Sequence, residues 1–144
     1  MLTMQKRPFE IEFKVRDYEC DLQGIVNNSV YQNYLEHARH EYLHQVGIHF
    51  AELAKKGIFL VLTRAELDYK LPLKSGDGCR VSVEAFRFGR LRGVFQQTIT
   101  RLSDNKSSVE GHAYCATIND QGKPIRPEPI ASWLDGLQEF SPKN

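Results

Sequence analysis

The sequence predicts an α+β fold class: one domain in which an antiparallel sheet of about five strands curls around a single long helix. Three observations carry this. Phe9, Ile11, Phe13 and Val15 alternate with Glu10, Glu12, Lys14 and Arg16, the period of a strand with one wet face. Tyr31, Leu35, Ala38, Tyr42 and Val46 then recur at spacings of three and four, forming one stripe of a helix. The second half holds three strand-like segments joined by short polar links, as an antiparallel meander requires.

Along the chain, residues 9–16 form the first strand and the helix begins near Ser29. Ser29 and Gln32 match a capping box, and Asn27 and Asn28 before them favour a turn. Gly47 suits the far cap. A second helical stretch, residues 50–56, ends at Gly57 and passes into an apolar, β-branched run over 58–71, which Pro72 and the Gly76-Asp-Gly turn stop. Strands follow over 79–88, 94–102 and 108–118, and a proline-containing tail leads to a short amphipathic piece at 130–137. The first half of the 58–71 run is apolar on both faces, so one side of the sheet is expected to meet another subunit.

The 144 residues, 41% of them hydrophobic and 26% charged, fit one domain spanning 1–144. A formal charge of +1 provides no field for nucleic acid or an anionic membrane, and no basic stripe with interleaved aromatics is present. The apolar residues 58–62 fall far short of the roughly 20 that span a bilayer, and residues 1–8 lack the apolar stretch of a secretory signal. A cytoplasmic protein is expected. Cys20, Cys79 and Cys115 lack the spacing of a zinc site or disulfide framework and are expected to be reduced thiols.

The segment between the first strand and the helix, Arg-Asp-Tyr-Glu-Cys-Asp-Leu-Gln-Gly-Ile-Val-Asn-Asn over residues 16–28, carries the densest chemistry. With the later Pro-Leu-Lys-Ser-Gly-Asp at 72–77, it resembles the 4-hydroxybenzoyl-CoA thioesterase family of hotdog-fold proteins. Within that family it looks closest to the single-domain acyl-lipid and methylketone-synthase type thioesterases. The resemblance covers nearly the whole chain and implies the hotdog fold and acyl-thioester hydrolysis. It implies Asp21 as the active carboxylate, and Asn28, seven residues on, as the position whose backbone N–H polarises the carbonyl. Glu19 departs from the aspartate the family's pattern has there.

Physical chemistry supports the transfer, because a thioester needs an activated attacker and donors for the oxyanion that develops on its carbonyl oxygen. An exposed helix start offers unpaired N–H groups and a partial positive charge. Asp21 would serve either as nucleophile or as general base. Its competing reading is a turn aspartate that bonds its own backbone ahead of Gly24. Gly24, Val26 and Asn27 of the same loop, with Tyr31 and Thr63, are expected to contact substrate. Arg90 and Arg92 are expected to meet the phosphates of coenzyme A or of an acyl-carrier protein's arm.

A rival pattern lies on the helix: His40, Glu41 and His44 fit the H-E-x-x-H motif of zinc hydrolases. The longer form of that motif wants a third histidine at position 50, which is Phe50; His49 is one place early. A helical wheel also puts His40 and His44 opposite the apolar stripe. No metal or cofactor is therefore expected. The expected partners are the acyl thioester and further copies of the chain, as a homodimer or homotetramer by the family's pattern. The alternative of another class is a hotdog domain that binds an acyl thioester without hydrolysing it.

Overall fold

The computed structural model describes residues 8–142. Residues 1–7, on which the secretory-signal expectation rests, lie outside them. Strand β1 (Phe9–Lys14) passes through a 3-10 turn (Asp17–Glu19) and an exposed loop into α1 (Asn28–Gln45). Then come α2 (Phe50–Lys55), β2 (Phe59–Tyr69), β3 (Gly78–Phe88), β4 (Arg92–Arg101), β5 (Lys106–Ile118) and α3 (Ile130–Asp135).

The five strands form one sheet in the order β1-β3-β4-β5-β2, with every neighbouring pair antiparallel. The meander β3-β4-β5 is consecutive because its links are short. The Gly89–Gly93 link is tighter than expected, since Arg92 pairs with Phe88 and Gly93 with Cys115.

Helix α1 packs on one face of the sheet through buried Tyr31, Tyr34, Leu35, Ala38 and Leu43. Val81, Val83, Phe95, Ile99 and Ala113 meet them from the strands, while Ile130 and Leu134 of α3 complete the core. Burial of each valine, leucine, isoleucine or phenylalanine among them contributes about 1.5–3 kcal/mol. Two expectations about α1 are corrected. Asn27, not Ser29, is the N-cap and makes no side-chain cap bond, so Ser29 sits inside the first turn and the capping box does not form. Val46 lies at the C-cap and is 43% exposed; the chain turns at Gly47 and inserts Ile48 into the core instead.

Strand β2, eleven residues long, pairs only with β5 among the described residues and so forms one edge of the sheet, with Phe59, Leu62 and Tyr69 exposed. A register shift between Leu62 and Arg64 bulges it at Thr63. Arg64 and Glu66 pair at 2.7 Å on it. On the opposite face of the sheet, Phe140 of the C-terminal segment packs against Phe86, Phe88, His112 and Tyr114.

Candidate active site at the entry to helix α1

The loop between β1 and α1 is built on a buried acid. Glu19 is 9% exposed, and its Oε1 accepts from the Arg16 N–H at 2.8 Å and from the Tyr34 hydroxyl at 2.7 Å. Burial, and then the Glu19 carboxylate, push the Tyr34 hydroxyl well above its ordinary value, which keeps it a donor. The Glu19 carbonyl also accepts the Asn27 N–H at 3.1 Å. This one residue therefore ties the loop to the first turns of the helix.

Past Glu19 the chain makes a small hairpin. Cys20 and Val26 bridge antiparallel, the Asp21 N–H donates to the Ile25 carbonyl at 2.9 Å, and the Gly24 N–H donates to the Asp21 carbonyl at 3.0 Å. Gly24 has φ +80°, a left-handed conformation that suits glycine. Asp21 Oδ1 accepts from Gln23 N–H at 2.8 Å and Ile25 N–H at 3.3 Å. Oδ2 has no hydrogen-bond partner among the described residues, and the side chain is exposed. The turn reading and the chemical reading of Asp21 thus coexist: one oxygen is tethered and the other points free.

The second motif clamps the first. Ile25 bridges Lys74, the Val26 N–H donates to the Leu73 carbonyl at 2.9 Å, and the Ser75 hydroxyl donates to the Asp17 carboxylate. The Leu73 N–H in turn donates to the Tyr31 hydroxyl at 2.9 Å. Seven residues past Asp21, the helix starts uncapped. Among the described residues the Asn28 and Ser29 N–H groups have no partner, so the positive end of the helix dipole faces outward beside the loop.

The structure brings Asp21, Gly24, Val26, Asn27, Asn28 and Tyr31 together at this end of the sheet. Val26 and Tyr31 are each 3% exposed, so within one chain they hold the loop rather than line an opening. Tyr31 also packs on Tyr69 of β2, ring centres 5.8 Å apart. Thr63 stands at the bulge of β2, its hydroxyl donating to the Tyr114 carbonyl at 3.2 Å. Arg90 and Arg92 are not brought near Asp21 in the same chain. They occupy the β3–β4 tip, whereas the start of β3 at Gly78 pairs with Lys14 beside the loop, about 33 Å away along the strand. Arg92 lies over the Phe88 ring at 4.9 Å.

The histidines of the zinc-type pattern lie against other groups. His40 packs on Phe50, ring centres 4.6 Å apart, with Nε2 3.6 Å from Glu36, while His44 Nδ1 sits 3.3 Å from His49 Nδ1. Burial lowers the proton affinity of His40. Among the described residues no three acids, histidines or cysteines converge as metal ligands.

Two features escaped the sequence reading. The Glu19–Tyr34 tie links residues whose meeting depends on how the loop folds over the helix. The other is a polar couple under α1. Gln97 is 3% exposed, donates through Nε2 to the Leu35 carbonyl at 3.0 Å, and accepts from Arg39 Nη1 at 2.9 Å. Gln97 did carry a signal: it stands at an inward position of β4 between Phe95 and Ile99.

Known proteins resemble the chain along most of its length. The family described as the thioesterase-like superfamily matches residues 15–137. Over 117 residues the chain is 36% identical to the acyl-acyl carrier protein thioesterase ATL3, chloroplastic, of Arabidopsis thaliana, covering 81% of this chain and 62% of that protein. Its counterpart ATL2 from the same plant is 33% identical, with 90% and 69% covered. The chain therefore spans about two thirds of the length of these relatives. Among solved structures, a hypothetical protein from Aquifex aeolicus superposes with a TM-score of 0.80 at 27% identity, covering 88% of this chain and 99% of that one. A 1,4-dihydroxy-2-naphthoyl-CoA thioesterase from Synechocystis shares the fold with a TM-score of 0.83 at 18% identity, over 91% and 98% of the two chains.

Proposed function

Because the chain belongs to the thioesterase-like superfamily, we propose that it hydrolyses an acyl thioester to the free acid and the thiol, with Asp21 and the start of α1 as its machinery. The observation that carries this reading is the free Oδ2 of a tethered Asp21 beside the uncapped N–H groups of Asn28 and Ser29. The Asn28 N–H donates to the thioester carbonyl, and the negative charge that grows on that oxygen in the tetrahedral state falls on the positive end of the helix.

Asp21 acts in one of two ways. As general base it takes a proton from water while the water oxygen attacks the carbonyl carbon; the C–S bond then breaks and the thiolate leaves with a proton. As nucleophile its Oδ2 forms an anhydride with the acyl group, expels the thiolate, and is freed by water. Both routes consume one water and return Asp21 as a carboxylate.

The substrate's carrier is coenzyme A or acyl-carrier protein, and the working unit is at least a dimer located in the cytoplasm. Exposed Phe59, Leu62 and Tyr69 on the open edge β2, with Tyr18 and Leu22 exposed on the loop, support burial against a second copy. Antiparallel pairing of two β2 edges directs the partner's β3–β4 tip, with its Arg90 and Arg92, toward the Asp21 end of the first subunit. In that arrangement the arginines meet the carrier's phosphates.

The test is thiol release from a panel of acyl-CoA and acyl-carrier-protein thioesters, comparing the protein with Asp21→Asn and with a chelator-treated sample. Asp21→Asn is expected to lower kcat by about 10²–10⁴-fold, and chelation to leave it unchanged. Full activity in Asp21→Asn would overturn the assignment. Activity lost only with chelator would move the chemistry to His40 and His44. Acyl-thioester binding without turnover would favour the non-catalytic alternative.

A further inference from the structure

An arginine, Arg39, that has no carboxylate partner among the described residues sits in the cleft between α1 and the β2–β5 edge. Two adjoining openings of about 60 and 100 Å³ run along this cleft, and both are lined by Glu36, Arg39 and Leu62. Leu62, Ala65 and Leu67 give the nearer opening an apolar β2 wall. Leu60 and Val61 continue that wall along the farther one, and Leu43, Phe50 and Phe95 add apolar lining from other elements. Arg39, with Glu36, marks the neck of a groove of mixed lining that follows the helix away from Asn28; Gln32, Gln97 and His112 join the apolar wall of the nearer opening, and His40 lines the farther one.

A guanidinium carries five donors. In Arg39 one of them goes to Gln97 Oε1, and Gln97 is itself fixed by its bond to the Leu35 carbonyl. No ion pair of Arg39 forms among the described residues; Glu36, one turn earlier, lies against His40 instead. Burial lowers the proton affinity of Arg39, and Glu36 opposes that shift. A half-buried cation with donors to spare makes the neck costly for a purely alkyl chain to pass, because the chain strips water from the guanidinium and returns no acceptor. An oxygen on the acyl group would restore one. Glu36 lines the same neck, so its charge disfavours a free carboxylate there.

The helical rise puts Arg39 about 16 Å beyond Asn28 along α1, and a long helical side chain leans back toward the helix N-terminus. Its head therefore meets the acyl group several bonds from the carbonyl. We propose that Arg39, held by Gln97, selects acyl groups bearing a neutral acceptor oxygen, hydroxyl or carbonyl, in their distal half. This rests on the reading that the thioester carbonyl is held at Asn28.

The experiment compares decanoyl-CoA with hydroxydecanoyl-CoA thioesters whose hydroxyl moves along the distal half of the chain. Turnover gives kcat/KM, and calorimetry on the matching non-hydrolysable thioether analogues gives Kd, in the native protein and in Arg39→Met. Arg39→Met keeps a linear apolar stem; Arg39→Gln is the second variant should it fail to fold. At least one hydroxy isomer is expected to be favoured roughly tenfold or more in the native protein, and the preference to vanish without the guanidinium. Equal Kd for all analogues in the native protein, or a preference that survives the substitution, would overturn the proposal. If no thioester is turned over while the thioether preference is present and lost in Arg39→Met, hydrolysis falls and the selection by Arg39 stands.

Discussion

Glu19 and Asp21 are two acids two residues apart with opposite environments. Glu19 is enclosed and bonded by Arg16 and Tyr34, whereas Asp21 is exposed with one oxygen tethered and one free. The difference separates their work: Glu19 fixes the loop on the helix, and Asp21 faces solvent from the loop so fixed. The Tyr34→Phe substitution removes the hydroxyl that Glu19 Oε1 accepts from inside the protein. It is expected to cost about 1–3 kcal/mol in urea unfolding and to lower kcat through the displaced loop. Unchanged stability would show that the tie does not hold the loop. The motif singled out Asp21 because a turn-forming Gly24 and a helix start follow it closely. The motif marked Glu19 only as its first acid; the tie to Tyr34 was not legible, because Tyr34 lies on α1 and meets Glu19 only after the loop folds back.

At the scale of the element, α1 and the meander were legible because their periods are long and regular. The start of α1 was misplaced by one to two residues: Ser29 and Gln32 have the right chemistry for a capping box, yet the loop's bonds to Leu73 and Glu19 set the entry at Asn27. The open edge β2 is held to the sheet by β5, and at Gly111 the two strands approach closely. A Cβ added there would stand 2.2 Å from the Glu66 carbonyl oxygen and 3.1 Å from Leu67 Cα. Gly111→Ala is therefore expected to push β2 outward, costing about 1–3 kcal/mol. If two β2 edges join in the dimer, the same variant shifts the gel-filtration profile toward monomer. A native protein that elutes as a clean monomer would sink the shared-edge arrangement.

For the whole molecule, the core contains thiols whose charge has no place in it. Burial pushes Cys79 up to about 12 and Cys115 up to about 11, from an ordinary value of 9.0. Raised values mean that the folded state holds these protons more tightly than the unfolded chain does. The stabilisation is thus complete below pH 9 and is lost as pH rises through the folded values. Between pH 9 and about 11, stability should fall by about 1.4 kcal/mol per pH unit for each thiol that ionises only on unfolding. Urea midpoints measured across that range test this. Cys79→Ala should flatten the slope, and an identical slope in that variant would assign the loss elsewhere.

The sequence alone determined the α+β class, the order of elements and the loop that carries Asp21, because periodicity, turn residues and a dense motif are local properties of the chain. The apolar first half of the 58–71 run led further, to the expectation that one side of the sheet meets another subunit, which gel filtration tests. Only the tertiary structure decided which groups meet. It set Arg90 and Arg92 at the far end of the sheet from Asp21, enclosed Glu19 under Tyr34, and placed Arg39 on Gln97 in the cleft beside β2. Each of these joins residues far apart in the chain, and such meetings are fixed by strand register and by the seating of α1 on the sheet.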